Sequence, residues 1–118
     1  MLRVNPPPLK LSAMSNKDSD GNDMLIDHAY KAKSAGFLQA FFTTSSANNS
    51  VVGYIGLTDN PVGAGTMFGK DTAGTDDDSA FISSLVAKGE YFEITSEVGS
   101  TKILWRSYGN LKKPVDFN

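Results

Sequence analysis

The chain of 118 residues has no cysteine, one histidine and one tryptophan. Without cysteine there is no disulfide framework, no thiolate metal site and no cysteine nucleophile. The single histidine, His28, has no serine-elbow motif or partnering carboxylate at a recognisable spacing, so it reads as a surface or interface residue rather than a catalytic base or metal ligand. Positive charge is scarce. The net charge is −2, and lysines and arginines stand singly except at Lys112-Lys113, so no basic stripe exists to neutralise phosphates and nucleic acid is not an expected partner. No apolar run approaches the ~18 residues of a membrane span. The opening Met1-Leu2-Arg3-Val4-Asn5, followed by three prolines, lacks the apolar stretch of a signal peptide. The expectation is a soluble chain with no membrane insertion and no visible address.

What is present is a globular composition, 40% apolar and 20% charged, with seven Phe and four Tyr, at a length that suits one domain with one modest core. Pro6-Pro7-Pro8 removes three backbone donors and favours an extended arm, so residues 1–8 are expected to be a tail and 9–118 a single domain. Leu9, Leu11 and Ala13 alternate with Lys10 and Ser12, the period of a short half-buried strand. The run from Ser15 to Asp23 has no apolar residue and reads as a loop. Met24 to Lys33 fits either a helix face or a strand, with strand favoured; Phe37 to Thr44 reads as a core strand, and Val51 to Thr58 as the strand that returns beside it in a long-looped hairpin. Gly53 and Gly56 suggest a bulge or close backbone approach there. Asp59 to Asp78, with its glycines and acidic residues, is expected to be mostly irregular and the longest candidate functional loop. Ala80–Val86, Tyr91–Thr95 and Lys102–Tyr108 are three further strands, joined by turns at Lys88-Gly89-Glu90 and at Glu97 to Ser100. The total, about eight short strands with turn signals between them, predicts an all-β, antiparallel β-sandwich or jelly roll.

The segments Tyr30-Lys31-Ala32-Lys33-Ser34-Ala35-Gly36-Phe37-Leu38-Gln39-Ala40, Val52-Gly53-Tyr54-Ile55, Val86-Ala87-Lys88-Gly89-Glu90-Tyr91-Phe92-Glu93-Ile94 and Ile103-Leu104-Trp105-Arg106 resemble, in that order, the C-terminal head domains of bacteriophage tail fibres. Complement-type and tumour-necrosis-factor-type heads share a similar Lys-Gly-Asp/Glu turn, which widens the likeness to trimeric β-sandwiches. In this turn Gly89 is expected at positive φ, with Val86 and Tyr91 returning to the core; an ordinary hairpin turn would use the same residues. The resemblance implies a homotrimer, located on the virion, that binds a bacterial surface glycan or outer-membrane protein. Such heads usually end a long fibrous polypeptide, whereas this chain opens at Met1 with a short proline-rich arm. That departure points either to an excised domain or to a separate small virion protein, a capsid decoration or tail-tip subunit in contact with other virion proteins.

Several local patterns carry candidate chemistry. Asn16-x-Asp18-x-Asp20-Gly21, followed by Asp27, partly mimics the oxygen-ligand spacing of a calcium loop, making Asp18, Asp20 and Asp27 the candidate ligands. Asn at the first position, Asp27 in place of a bidentate Glu and the lack of flanking helices favour a solvated acidic turn. Asp76-Asp77-Asp78 is likewise read as a solvated loop before a cation site. Gly63-Ala64-Gly65-Thr66 with Gly69-Lys70-Asp71-Thr72 has neither the spacing nor the strand-then-helix context of a phosphate loop. Trp105 and Tyr108 could stack on a sugar, although an aromatic in a closing strand is more often core. A binding surface is expected on the Ser45–Ser50 and Asp59–Asp78 loops, where Asn48, Asn49, Asp59 and Asn60 offer hydrogen bonds to hydroxyl-rich ligands. No pair of acids stands at a spacing that marks a glycosidase. The sequence therefore predicts a protein without enzymatic activity or required cofactor. A phage receptor-binding head or tip comes first, a capsid-cementing protein second and a small lectin-like module third.

Overall fold

A computed structural model of the chain describes residues 13–44, 46–75, 77–108 and 115–117. The expected arm at 1–8 and the expected strand from Leu9 lie outside the described residues, apart from Ala13, which is not in a strand. Among the described residues, eight strands and one short helix follow in order: β1 (Ala29–Lys31), β2 (Gly36–Thr43), β3 (Asn49–Gly56), α1 (Pro61–Ala64), β4 (Thr66–Ala73), β5 (Ser79–Val86), β6 (Tyr91–Ser96), β7 (Lys102–Ser107) and β8 (Asp116–Phe117). They form two antiparallel sheets, one of five strands in the order β4-β3-β6-β1-β8 and one of three in the order β5-β2-β7. The predicted all-β sandwich is the fold observed.

Strict alternation builds the core. In β2, Gly36, Leu38, Ala40 and Phe42 are buried while Phe37, Gln39 and Phe41 face outward; in β6, Phe92 and Ile94 are buried between Tyr91, Glu93 and Thr95. The two inner faces meet in an aromatic stack. Tyr30 and Phe92 of the five-stranded sheet lie 5.7 Å apart between ring centroids, and Phe92 lies 5.7 Å from Trp105 of the three-stranded sheet at an interplanar angle of 10°. Buried rings weigh heavily in core energetics, and their stacking adds to the burial of their area. Gly36 makes room for the stack, since a Cβ there would sit 2.2 Å from Trp105 Cζ2.

Several expectations about strand partners and segments need correction. The strand after Phe37–Thr44 does not return beside it, because β2 already pairs with β5 on one side and β7 on the other, and β3 joins the opposite sheet between β4 and β6. The Lys88-Gly89-Glu90 turn joins β5 to β6 across the sandwich rather than within a hairpin. Gly89 does take positive φ (87°), its N–H donates to Ala32 O, and Ala32 N donates to Glu90 O. The residue that returns to the core is Phe92, fully buried, whereas Tyr91 is half-buried and faces outward. Finally, Asp59–Asp78 is not mostly irregular: it contains α1 and the eight-residue β4. The glycines that suggested irregularity serve pairing instead. Gly53 lies opposite Gly69, the register then shifts, and Phe68 packs its ring over Gly53, where a Cβ would meet Phe68 Cζ at 2.1 Å. This is the bulge that Gly53 suggested. Asp71 of β4 then accepts the Phe81 N–H of β5 at 2.9 Å, tying the edges of the two sheets together.

Candidate functional site

The expected binding surface is divided by the fold. Asn48 takes positive φ (66°), its N–H donates to Ala73 O at 2.7 Å, and Asn49 Nδ2 donates to Thr44 Oγ1. Thr44 N–H donates to Asp78 O, so the loop after β2 meets the loop after β4. Asp78 accepts from Gly74 N and Ser79 N, and these backbone bonds hold its carboxyl below the ordinary aspartate range. Asp59 is exposed, and Asn60 caps α1 by accepting from Gly63 N at 3.0 Å. Both lie at the other end of β3, about 25 Å of strand away. Asn48, Asn49 and Asn60 thus shape turns, and the four residues do not form one surface.

Trp105 is 2% exposed, and its Nε1 donates to Ser107 Oγ at 2.9 Å; it is a core residue and cannot stack on a ligand. Tyr108 is half-buried in a hollow of about 360 Å³ lined by Gly36, Leu85, Val86 and Glu90. The calcium-like spacing resolves into a turn. Asp18 is 4% exposed and its Oδ1 accepts from Asp20 N and Asn22 N, while Asp20 and Asp27 are exposed. Lys17 pairs with Asp23 across the turn. Among the described residues no three acidic or histidine side chains come together as a metal site would need. His28 is half-buried with its ring edge-on to Tyr30 at 5.2 Å.

The arrangement that sequence reasoning missed is the outer face of the five-stranded sheet. The strand registers stack its outward residues in rows. Lys70, Val52 and Thr95 form one row; Met67, Tyr54, Glu93 and Ala29 form the next; Gly56, Tyr91 and Lys31 form a third. Two tyrosines therefore flank a carboxylate, with Gly56 and the buried Ala29 beside them. Lys31 Nζ lies 5.6 Å from the centre of the Tyr91 ring, a cation–π contact. Burial raises the Glu93 carboxyl above the ordinary glutamate range, the Asp27 carboxylate raises it further, and His28 opposes the shift. Asp27, at φ 59° and held by its N–H to Ile94 O at 2.7 Å, opens onto an adjoining groove of about 240 Å³. That groove is lined by Ser50, Val52, Lys70, Thr95 and Glu97 as well. It is smaller than the ~300–1,000 Å³ typical of enclosed small-molecule sites, so the face suits recognition of a protruding group rather than engulfment of a substrate.

The signal for this face was present as alternation: Ser50-x-Val52-x-Tyr54 and Tyr91-x-Glu93-x-Thr95 place one outward set of residues at period two. Its cross-strand assembly was not legible, because β3 and β6 are distant in sequence and Lys70 lay in a segment expected to be irregular. Comparison of the chain with models of protein families, with curated proteins and with solved structures returned no match.

Proposed function

We propose that this chain is a recognition module without catalytic activity whose five-stranded sheet binds a hydroxyl-rich ligand, a bacterial surface glycan, on its outer face. The observation that carries the reading is the placement of Glu93 between Tyr54, its cross-strand partner on β3, and Tyr91, two residues before it on β6. Aromatic faces pack against the C–H faces of pyranose rings. Carboxylates such as Glu93 and Asp27 accept hydrogen bonds from sugar hydroxyls, and Lys31 and Lys70 donate them. In the tail-fibre resemblance this activity is that of a receptor-binding head or tip on the virion, acting as a homotrimer that multiplies a weak single-site affinity. Calcium is not required in this reading, because none of the residues named needs a metal to present its polar atoms.

The test is binding of the purified chain to intact bacteria and to their isolated surface polysaccharides. Binding that falls at least about tenfold in Tyr54→Ala and Tyr91→Ala, with the thermal melt preserved, supports the proposal. Binding only to capsids would move the chain to the cementing class, and binding to an outer-membrane protein with both tyrosines dispensable would remove the glycan reading.

A further inference from the structure

The outer face of the three-stranded sheet has the opposite character. Its register puts Leu85, Phe37 and Arg106 in one row, Ser83, Gln39 and Leu104 in the next, and Phe81, Phe41 and Lys102 in a third. Leu85 is 66% exposed and Phe81 48%, and the Phe41 and Phe81 rings lie 6.4 Å apart on the surface. Five large apolar side chains on one contiguous sheet face exceed what scattered surface hydrophobes explain and mark a docking surface.

We infer that the partner on this face is a second copy of the same chain, with the β5 side of one copy set against the β7 side of the other. The charges around the face carry the choice. The β7 side holds Lys102 and Arg106, and Arg106 Nε is buried without a hydrogen-bond partner among the described residues. The β5 side is bordered by acids: Asp77 and Asp78 precede its first residue, and Asp71 bonds Phe81 N. Phe81, Phe41 and Lys102 share a row, so the acidic border and Lys102 lie at the same end of the sheet on opposite outer strands. A two-fold axis along β2 therefore lays the acidic corner of each copy over Lys102 of the other, while Phe81 and Leu85 cover the partner's β7. A closed ring built head to tail brings the same two sides together. Each copy supplies both halves of the complementarity, which a partner of single charge would not satisfy.

The inference rests on the proposed reading for self-association and adds the face through which copies meet; the glycan site lies on the opposite face, and the test reads mass rather than ligand binding, so each can fail without the other. Light scattering on the full chain at high micromolar concentration should give a multiple of the single-chain mass. Leu85→Glu should reduce it to one chain, and Lys102→Glu should lower the assembled fraction. Both positions are exposed, and far-UV circular dichroism with a thermal melt checks that each variant is folded. A wild-type chain that stays monomeric would overturn the inference, as would an assembly that persists in both variants.

Discussion

The two sheets of this sandwich share one core and differ on their outer faces. The five-stranded sheet presents tyrosines, carboxylates, lysines and hydroxyls; the three-stranded sheet presents phenylalanine and leucine between flanking charges. Neither face is needed to close the core, because the inner residues Leu38, Val51, Phe92, Ile94, Ile103 and Trp105 are already at most 2% exposed. Folding alone thus leaves the chemistry of both outer faces unconstrained, and their contrast points to two kinds of contact: solvated, directional recognition on one side and apolar burial on the other.

Both sheets depend on the same central stack. Trp105→Ala removes one ring of the inter-sheet stack and the donor to Ser107, and is expected to cost about 3–5 kcal/mol of stability in chemical denaturation. A ligand-contacting surface tryptophan would leave stability unchanged. Gly36→Ala pushes a methyl into the same ring and should cost about 1–3 kcal/mol, whereas Gly99→Ala, where a Cβ meets nothing within 4 Å, should be near neutral. These variants locate the core without touching either outer face.

The next changes separate the faces. The double variant Tyr54→Ala with Tyr91→Ala should abolish glycan binding while shifting stability by no more than about 1 kcal/mol, the size of cross-strand pair effects. Mass measurements should not respond to it. The smallest effect is expected from Glu93. Its raised folded value means that the native state holds the proton more tightly than the unfolded chain does. The associated stability is fully present below the ordinary glutamate range and is lost as pH rises through the raised value. Glu93→Gln should remove that loss, giving a slightly higher melting temperature than wild type at neutral pH and a flatter dependence on pH. Melts that differ equally at every pH between about 4 and 8 would assign the effect to packing instead.

The sequence made the strands legible and left their partners hidden. Alternation over Gly36–Thr43, Tyr91–Ser96 and Lys102–Ser107 is local, and the positive φ of Gly89 follows from one residue's chemistry. Which strand lies beside which depends on burial accumulated across the whole chain. The expected β2–β3 hairpin therefore failed even though both strands were recognised. Strand β4 was missed because Gly65, Gly69 and Gly74 read as loop punctuation, whereas Gly69 faces Gly53 and accommodates the Phe68 bulge. The site expectation failed for a related reason. Asn48, Asn49 and Asn60 looked available for ligands in a linear reading, but their side chains or backbones are used to hold turns. The residues that face outward together, Tyr54, Glu93 and Lys31, come from three strands that only the tertiary fold aligns.

The most direct test of the account is quantitative binding of the purified chain to polysaccharide-bearing bacteria and to the same cells stripped of polysaccharide, comparing wild type with the Tyr54→Ala, Tyr91→Ala double variant. The account predicts that wild type binds the unstripped cells alone and that the double variant, folded and unchanged in mass, does not bind. Undiminished binding by the double variant, or equal binding to stripped cells, would contradict it.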